Sequence, residues 1–270
     1  MRIFQRSGIA AGLLGVALGA CAQRQLSSED LMFKAAGIHD RVITFDAEMD
    51  IPLDFMTGAK DVGQLTTMQV DLPKMDQGRL DGAAFVIFVS QGERTKEAYA
   101  KARKDADTKL NAIESMLAKY PERIALARTS ADVPRIVAAQ KHFVVLSVVN
   151  AYPYGEDIGW LSQLYERGLR MVAFNHAGHN QFSDSDRPSE RLSDKPEEHG
   201  GLSPLGKEAV AEMNRLGIIV DVSQISSAAL LQAVELSKAP VVASHVGVKA
   251  IVDNPRNLSD AEMKAIAAKG

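Results

Sequence analysis

Short apolar runs recur along this chain and are separated by longer amphipathic stretches. Val42–Phe45, Ala83–Val89, Phe143–Val149, Met171–Phe174, Ile218–Val220 and Val241–Ala243 are each bounded by polar residues, Gly or Pro, and Ile124–Ala127 is a shorter piece of the same kind. Runs of this length read as buried strands. Between them, Glu93–Tyr120 carries Tyr99, Ala102, Ala106, Leu110, Ile113 and Leu117 at steps of three and four, one helical stripe, with its charges read as a solvated outer face. Helices are also expected over 131–140, 157–168, 205–216 and 226–238, with a short one near 26–36. A last helix starts at Ser259, with Asp260 and Glu262 at its positive amino end. Strand alternating with helix implies parallel pairing with right-handed crossovers. No Gly-rich dinucleotide fingerprint follows any strand. The pattern therefore predicts an α/β fold of the (β/α) barrel type. About six β/α units are present where a closed barrel has eight, so the barrel is expected to be incomplete and the chain truncated at its carboxyl end.

Four runs end in polar residues of ligand type. Val42–Phe45 leads into Asp46-Ala-Glu48-Met-Asp50, Met171–Phe174 into Asn175-His176, Ile218–Val220 into Asp221-Val-Ser-Gln224, and Val241–Ala243 into Ser244-His245. A single strand-end histidine is most simply satisfied by a backbone carbonyl. Several such ends together point to one shared mouth at the carboxyl ends of the strands, where parallel sheets and barrels keep their chemistry. Arg256 follows eleven residues after His245. It is read either as a helix-entry ion pair or as an anion-binding group. Residues 181–201 form a polar loop longer than packing alone requires.

Composition adds exclusions. With 46% apolar and 24% charged residues the chain is ordinary for a folded domain, and a net charge of −3 without a basic block argues against nucleic acid. The first 21 residues differ from the rest. Met1–Arg6 is positive, Gly8–Ala20 is an apolar small-residue run too short to span a bilayer, and the run ends at Cys21, the only cysteine. This segment resembles a bacterial lipoprotein signal, with cleavage before Cys21 and lipidation of it; an ordinary secretory signal is the alternative. The expected organisation is thus a leader over 1–21, a tether with a short helix over 22–40, and the barrel over 41–270. The mature protein is expected in the bacterial cell envelope, held to the membrane by its lipid anchor alone and facing the periplasm. Ala22 after the cysteine fits export to an outer membrane.

The phrases DAEMDIPLDF, QVDLPKMDQGRLDGAAF, VNAYPYGEDIG, FNHAGHNQFSDS, GLSPLGKEAVAEMNRLGIIVDVSQ and APVVASHVGVKAIVDNPRNLSD together resemble the membrane (renal) dipeptidases, zinc metallopeptidases on a (β/α)8 barrel. The resemblance implies a dipeptide-hydrolysing hydrolase with two zinc ions about a bridging carboxylate. It places metal ligands at Glu48, Asp50, Gln224 and His245, a catalytic-loop histidine at His176 and a substrate-carboxylate arginine at Arg256. Three of these positions depart from the family pattern: Glu48 stands for a histidine, Gln224 for a histidine, and Val149 for the bridging glutamate. A neutral amide is a poor zinc donor and a valine is none, so fewer than two zincs are expected. His179 is either a substitute ligand or a solvent-facing hydrogen bonder, and His39, His142 and His199 read as surface. The functional readings are a dipeptide-hydrolysing metalloenzyme, or a weakened or inactive relative that binds small peptides. A small peptide is the expected partner in either reading, and a second copy of the chain is a further candidate. Replacing Cys21 with Ser should move the protein from the membrane fraction to the soluble fraction on ultracentrifugation; a variant that still sediments with membranes contradicts the lipoprotein reading.

Overall fold

The computed structural model describes residues 26–270. Cys21, the expected leader and the start of the tether lie outside the described residues. The chain divides into two compact units between Arg41 and Val42. In the first, α1 (Ser28–His39) begins at a capping box, in which the Ser27 hydroxyl accepts from the Asp30 N–H and the Asp30 carboxylate accepts from the Ser27 N–H. It starts and ends two or three residues later than the sequence pattern suggests, because the cap sets its first turn.

The second unit follows as β1 (Phe45–Asp50), α2 (Leu72–Gly78), β2 (Gly82–Phe88), α3 (Lys96–Lys119), β3 (Ile124–Leu126), α4 (Asp132–Ala138), β4 (His142–Val149), α5 (Gly159–Arg167), β5 (Leu169–Ala173), α6 (Pro204–Leu216), β6 (Ile219–Asp221), α7 (Ser227–Leu236) and α8 (Asp260–Lys269). All strand pairings are parallel. The order is β1-β2-β4-β5-β6, with β3 pairing the start of β4. The expected α/β architecture with six strands is present, and among the described residues the sheet does not close on itself.

Side chains on a strand alternate between faces, and here the two faces have different partners. Phe85, Ile87, Val144, Leu146, Val148 and Val172 belong to the main core together with Ala106, Leu110 and Ile113 of α3. Val86, Val149 and Ala173 form a separate buried apolar patch on the opposite face, with Phe88 against it. That second face carries the mouth.

Two strands differ from the sequence reading. The first was expected over 41–45, but the ladder with β2 runs from Phe45–Gly82 to Asp50–Val86. Asp46, Glu48 and Asp50 are therefore inside the strand, while Val42 and Ile43 are exposed. Pairing with β2, not apolar content, fixes where an edge strand begins. The ladder also gains one residue between Asp46 and Met49, a bulge of the kind that re-aims side chains at sheet edges. The sixth expected strand, Val241–Ala243, makes only one bridge, Asp221–Val242, with hydrogen bonds of 2.7 and 2.9 Å.

The long polar loop over 181–201 is organised around Asp184, which is 1% exposed. Its carboxylate accepts from the backbone N–H groups of Glu198 (3.0 Å), His199 (3.0 and 3.1 Å) and Gly201 (2.9 Å). Burial pushes this carboxyl up, but the three N–H groups outweigh it and hold the group below the usual carboxylate range. Gly206, in the first turn of α6, lets the loop pass close, since a Cβ there would meet the Phe182 carbonyl at 2.0 Å. Asp184→Ala should cost about 1–3 kcal/mol, because it leaves three backbone donors, that of Gly201 buried, without their acceptor. For the native chain, a folded pKa below the unfolded one means that this contribution is complete above the ordinary carboxylate value and is lost as pH falls below it. Urea unfolding of both proteins at pH 7 and near pH 3 should show the difference shrinking at the lower pH; a constant difference would contradict the assignment.

Candidate functional site

Glu48 and Asp50 lie at the end of β1, where Asp50 pairs in register with Val86 of β2. Asp50 Oδ1 accepts from the Ile51 N–H at 2.8 Å and from Lys109 Nζ at 2.8 Å. Lys109 was grouped by sequence with the solvated face of its helix, yet it is only 6% exposed. It falls at i+3 from Ala106 on the buried stripe of α3, and that register was the signal available in the sequence. Burial raises the Glu48 carboxyl above its ordinary value, Asp50, Asp46 and Asp221 add to this, and Arg256 opposes it.

At the other side of the mouth five side chains form one chain of hydrogen bonds. Arg187 donates to Gln224 Oε1 at 2.9 Å, and Gln224 Nε2 lies 2.6 Å from His245 Nε2. His245 Nδ1 lies 2.7 Å from Ser244 Oγ, and Ser244 Oγ reaches the Asp221 carboxylate. The two ends fix the proton positions, since guanidinium only donates and carboxylate only accepts. Ser244 donates to Asp221, so it accepts from His245 Nδ1–H, and His245 Nε2 accepts from the Gln224 amide. Asp221 also accepts from the N–H groups of Ser223 (3.0 Å) and Ser244 (3.2 Å), which ties the end of β6 to the His245 segment. Gln224 takes φ 64, in the left-handed region uncommon for a residue with a Cβ. Its carbonyl accepts from the Asp186 N–H at 3.2 Å, so the strand end and the long loop hold it there together. The His245 imidazole is pushed down by burial, with Arg256 and Arg187 in the same direction and Asp221 against.

His176 packs against Phe88, with ring centroids 4.6 Å apart and the planes tilted by 44°. Burial lowers it to about 4, helped by Arg187, Arg256 and His245 and opposed by Asp50, so it is neutral at pH 7. Arg256 makes no side-chain hydrogen bond to any described residue, although its charge acts on Glu48, His176, Asp186 and His245. A cavity of about 350 Å³ beside it is lined by Asp186, Gln224, Arg256, Lys249 and Glu262, among others, at the small end of ligand-sized pockets.

His179 is neither a ligand nor solvent-facing. It is 1% exposed, accepts from the Ser185 N–H at Nδ1 (3.0 Å) and lies 2.8 Å from the Lys195 carbonyl at Nε2, so it pins the loop. His142 and His199, expected on the surface, are half-buried; His142 lies 2.8 Å from both the Leu80 carbonyl and Asp76, and His199 lies 2.8 Å from the Asn180 carbonyl. His39 is exposed, as expected.

The sequence pattern of the membrane dipeptidases, peptidase family M19, matches residues 32–270. The dipeptidase verJ of Clonostachys rogersoniana is 27% identical over 255 residues, covering 90% of this chain and 64% of the relative. The dipeptidase tcpJ of Claviceps purpurea is 31% identical over 195 residues, covering 71% and 44%. Among solved structures, the probable dipeptidase PvdM from Pseudomonas aeruginosa superposes with a TM-score of 0.87 at 39% identity, covering 90% of this chain and 62% of that one. The chain belongs to the membrane dipeptidase family. It spans less than two thirds of the length of these relatives.

Membership in a metallopeptidase family puts a metal question to the mouth, and its donors do not fit a two-metal centre. Val149, at the position resembling the bridging glutamate, is 2% exposed and is paired in register with Phe88 and Ala173 in the apolar patch. Asn150 cannot replace it. It takes φ 69, donates to the Val89 carbonyl at 2.8 Å and accepts from Asn180. The Gln224 amide is spent between Arg187 and His245, the Nε2 lone pair of His245 is taken by that amide, and Asp50 is paired with Lys109. Among the described residues no three His, Cys, Asp or Glu side chains gather as a metal-holding group. Two residues missed by sequence reasoning, Lys109 and Arg187, engage Asp50 Oδ1 and Gln224 Oε1. Val149→Glu should lower stability by about 2–4 kcal/mol at pH 7, because a carboxylate is buried without a partner. The new carboxyl would titrate above its unfolded value, so the loss should shrink as pH falls and it protonates. Thermal denaturation at pH 7 and pH 5 checks this; a neutral substitution means the patch is open to water.

Proposed function

We propose that this dipeptidase-family chain binds a small peptide at its mouth and that hydrolysis by the family's two-metal route is weak or lost in it. The observation that carries this reading is Val149, an apolar side chain locked into the Val86–Ala173–Phe88 patch where the resemblance calls for a bridging carboxylate. Losing even an outer partner of a metal site typically costs about 10–100-fold in affinity or activity. Losing the bridge costs at least as much. What the mouth retains suits recognition. Arg256 is free to take a peptide's terminal carboxylate, and the neutral His176 ring can pack on or hydrogen-bond to the backbone. Asp186 offers an acceptor in the same cavity as Arg256, and that cavity of about 350 Å³ is of dipeptide scale.

A second reading, dipeptide hydrolysis as in the rest of the family, is favoured by Asp50, His176, His245 and Arg256, which all stand at the mouth. We also propose, from the leader ending at Cys21, that the mature protein is lipid-anchored in the cell envelope.

Calorimetric titration with a dipeptide and its carboxyl-amidated analogue separates the two readings when run beside a hydrolysis assay. The expected result is measurable binding of the free dipeptide, about tenfold or more weaker for the amide and for Arg256→Ala, in line with the loss of one charge-assisted contact. Turnover at an ordinary enzymatic rate, about 1–1000 per second, would establish the second reading instead.

A further inference from the structure

Lys109 is the least expected group in the mouth. It sits in the middle of α3, where neighbouring residues serve the core, and a lysine that is 6% exposed is uncommon unless paired. Its ammonium lies 2.8 Å from Asp50 Oδ1 and 5.6 Å from the centroid of the Phe88 ring, and that ring packs, tilted, against His176. The charge is thus placed among three groups of the mouth.

Asp50 is one of two positions, with His245, at which the metal ligand implied by the family resemblance is kept in this sequence. Asp50 Oδ1 accepts from both Lys109 Nζ and the Ile51 N–H, while Oδ2 makes no hydrogen bond among the described residues. An ion at Oδ2 would still share the carboxylate with the ammonium, and two cations competing for one carboxylate repel each other. The ring face of Phe88 adds a favourable contact for the ammonium that a tightly hydrated metal would not gain.

We propose that Lys109 is the resident cation of this mouth, paired with Asp50 at the place a metal would claim, and that it keeps divalent metal off that carboxylate. The pairing accounts for three observations at once: the burial of Lys109, the engagement of Asp50 Oδ1, and the absence of a carboxylate at Val149. With the ammonium in place there is no second positive ion for a bridge to join. An ammonium has three N–H groups and Asp50 takes one, so the others remain for an oxygen of whatever ligand enters. The inference goes beyond the peptide-binding reading and does not require it.

The test uses zinc chloride alone as probe. Purified chain, Lys109→Met, Asp50→Asn and the double variant are equilibrated with zinc, desalted and assayed for metal per chain, and melting is followed with and without zinc. The native chain should retain no zinc that depends on Asp50, and its melting should not respond. Lys109→Met should bind zinc about tenfold or more tightly, and adding Asp50→Asn should abolish the gain. The proposal is overturned if the native chain holds stoichiometric zinc that Asp50→Asn removes, or if a folded Lys109→Met gains none. Should Lys109→Met fail to fold, native chain against Asp50→Asn decides: equal, negligible zinc in both supports the proposal, and zinc in the native chain alone overturns it. Peptide titration of the same proteins reports on the other reading separately, since either result can hold without the other.

Discussion

The register between β2, β4 and β5 is the constraint on which the mouth depends. Phe88 pairs with Val149, and Val149 with Ala173. Because side chains alternate, that register sends all three to the same face as Val86 and excludes them from the helix-facing core. A slip of one residue would exchange the two faces along a whole strand, bringing Val148 into the mouth and Val149 against α3. Both faces are apolar and buried, so hydrophobicity alone does not choose between the two registers; the parallel hydrogen-bond ladder and the packing of α3 choose. Once chosen, the floor of the mouth is dry and without a ligand atom, and the chemistry moves to its rim.

On the rim the charges are supplied by the chain. Lys109 pairs with Asp50, and Arg187 is joined to Asp221 through three intervening side chains, while Arg256 is left without a side-chain hydrogen bond among the described residues. The chain from Arg187 through Gln224, His245 and Ser244 to Asp221 shows how this works. A donor-only group at one end and an acceptor-only group at the other leave a single consistent set of proton positions, so the imidazole is oriented without any metal. Its cost is local: Gln224 holds a left-handed backbone conformation, at about 1–3 kcal/mol for a residue of its kind. The surrounding hydrogen bonds to loop residues Ser185 and Asp186 support it.

The loop that covers this rim is held from below. Asp184 collects three backbone N–H groups, His179 spans Ser185 and Lys195, and Asn175 and Asn180 bond to backbone within the buried turn. These buried polar groups are satisfied within the chain, which lets a loop of polar composition pack like a core element. Arg187 is delivered to Gln224 by that packing.

The strand–helix alternation, the parallel sheet, the stripe on α3 and the start of the last helix at Ser259 with Asp260 and Glu262 in its first turn could all be read from the chain, because each depends on periodicity or on neighbours a few residues away. The clustering of Glu48, Asp50, His176, Gln224, His245 and Arg256 was legible too, since strand ends in a parallel fold meet at one side. The sequence did not reveal which donors are free. Whether Asp50 offers its Oδ1 depends on Lys109, fifty-nine residues away, and whether His245 offers its nitrogen depends on an amide turned toward it by Arg187. Where β1 begins was likewise decided by its partner β2 and not by its own apolar residues. Local physics sets which elements form. Which side chain takes which hydrogen bond is set by distances across the fold, and only the tertiary structure supplies those.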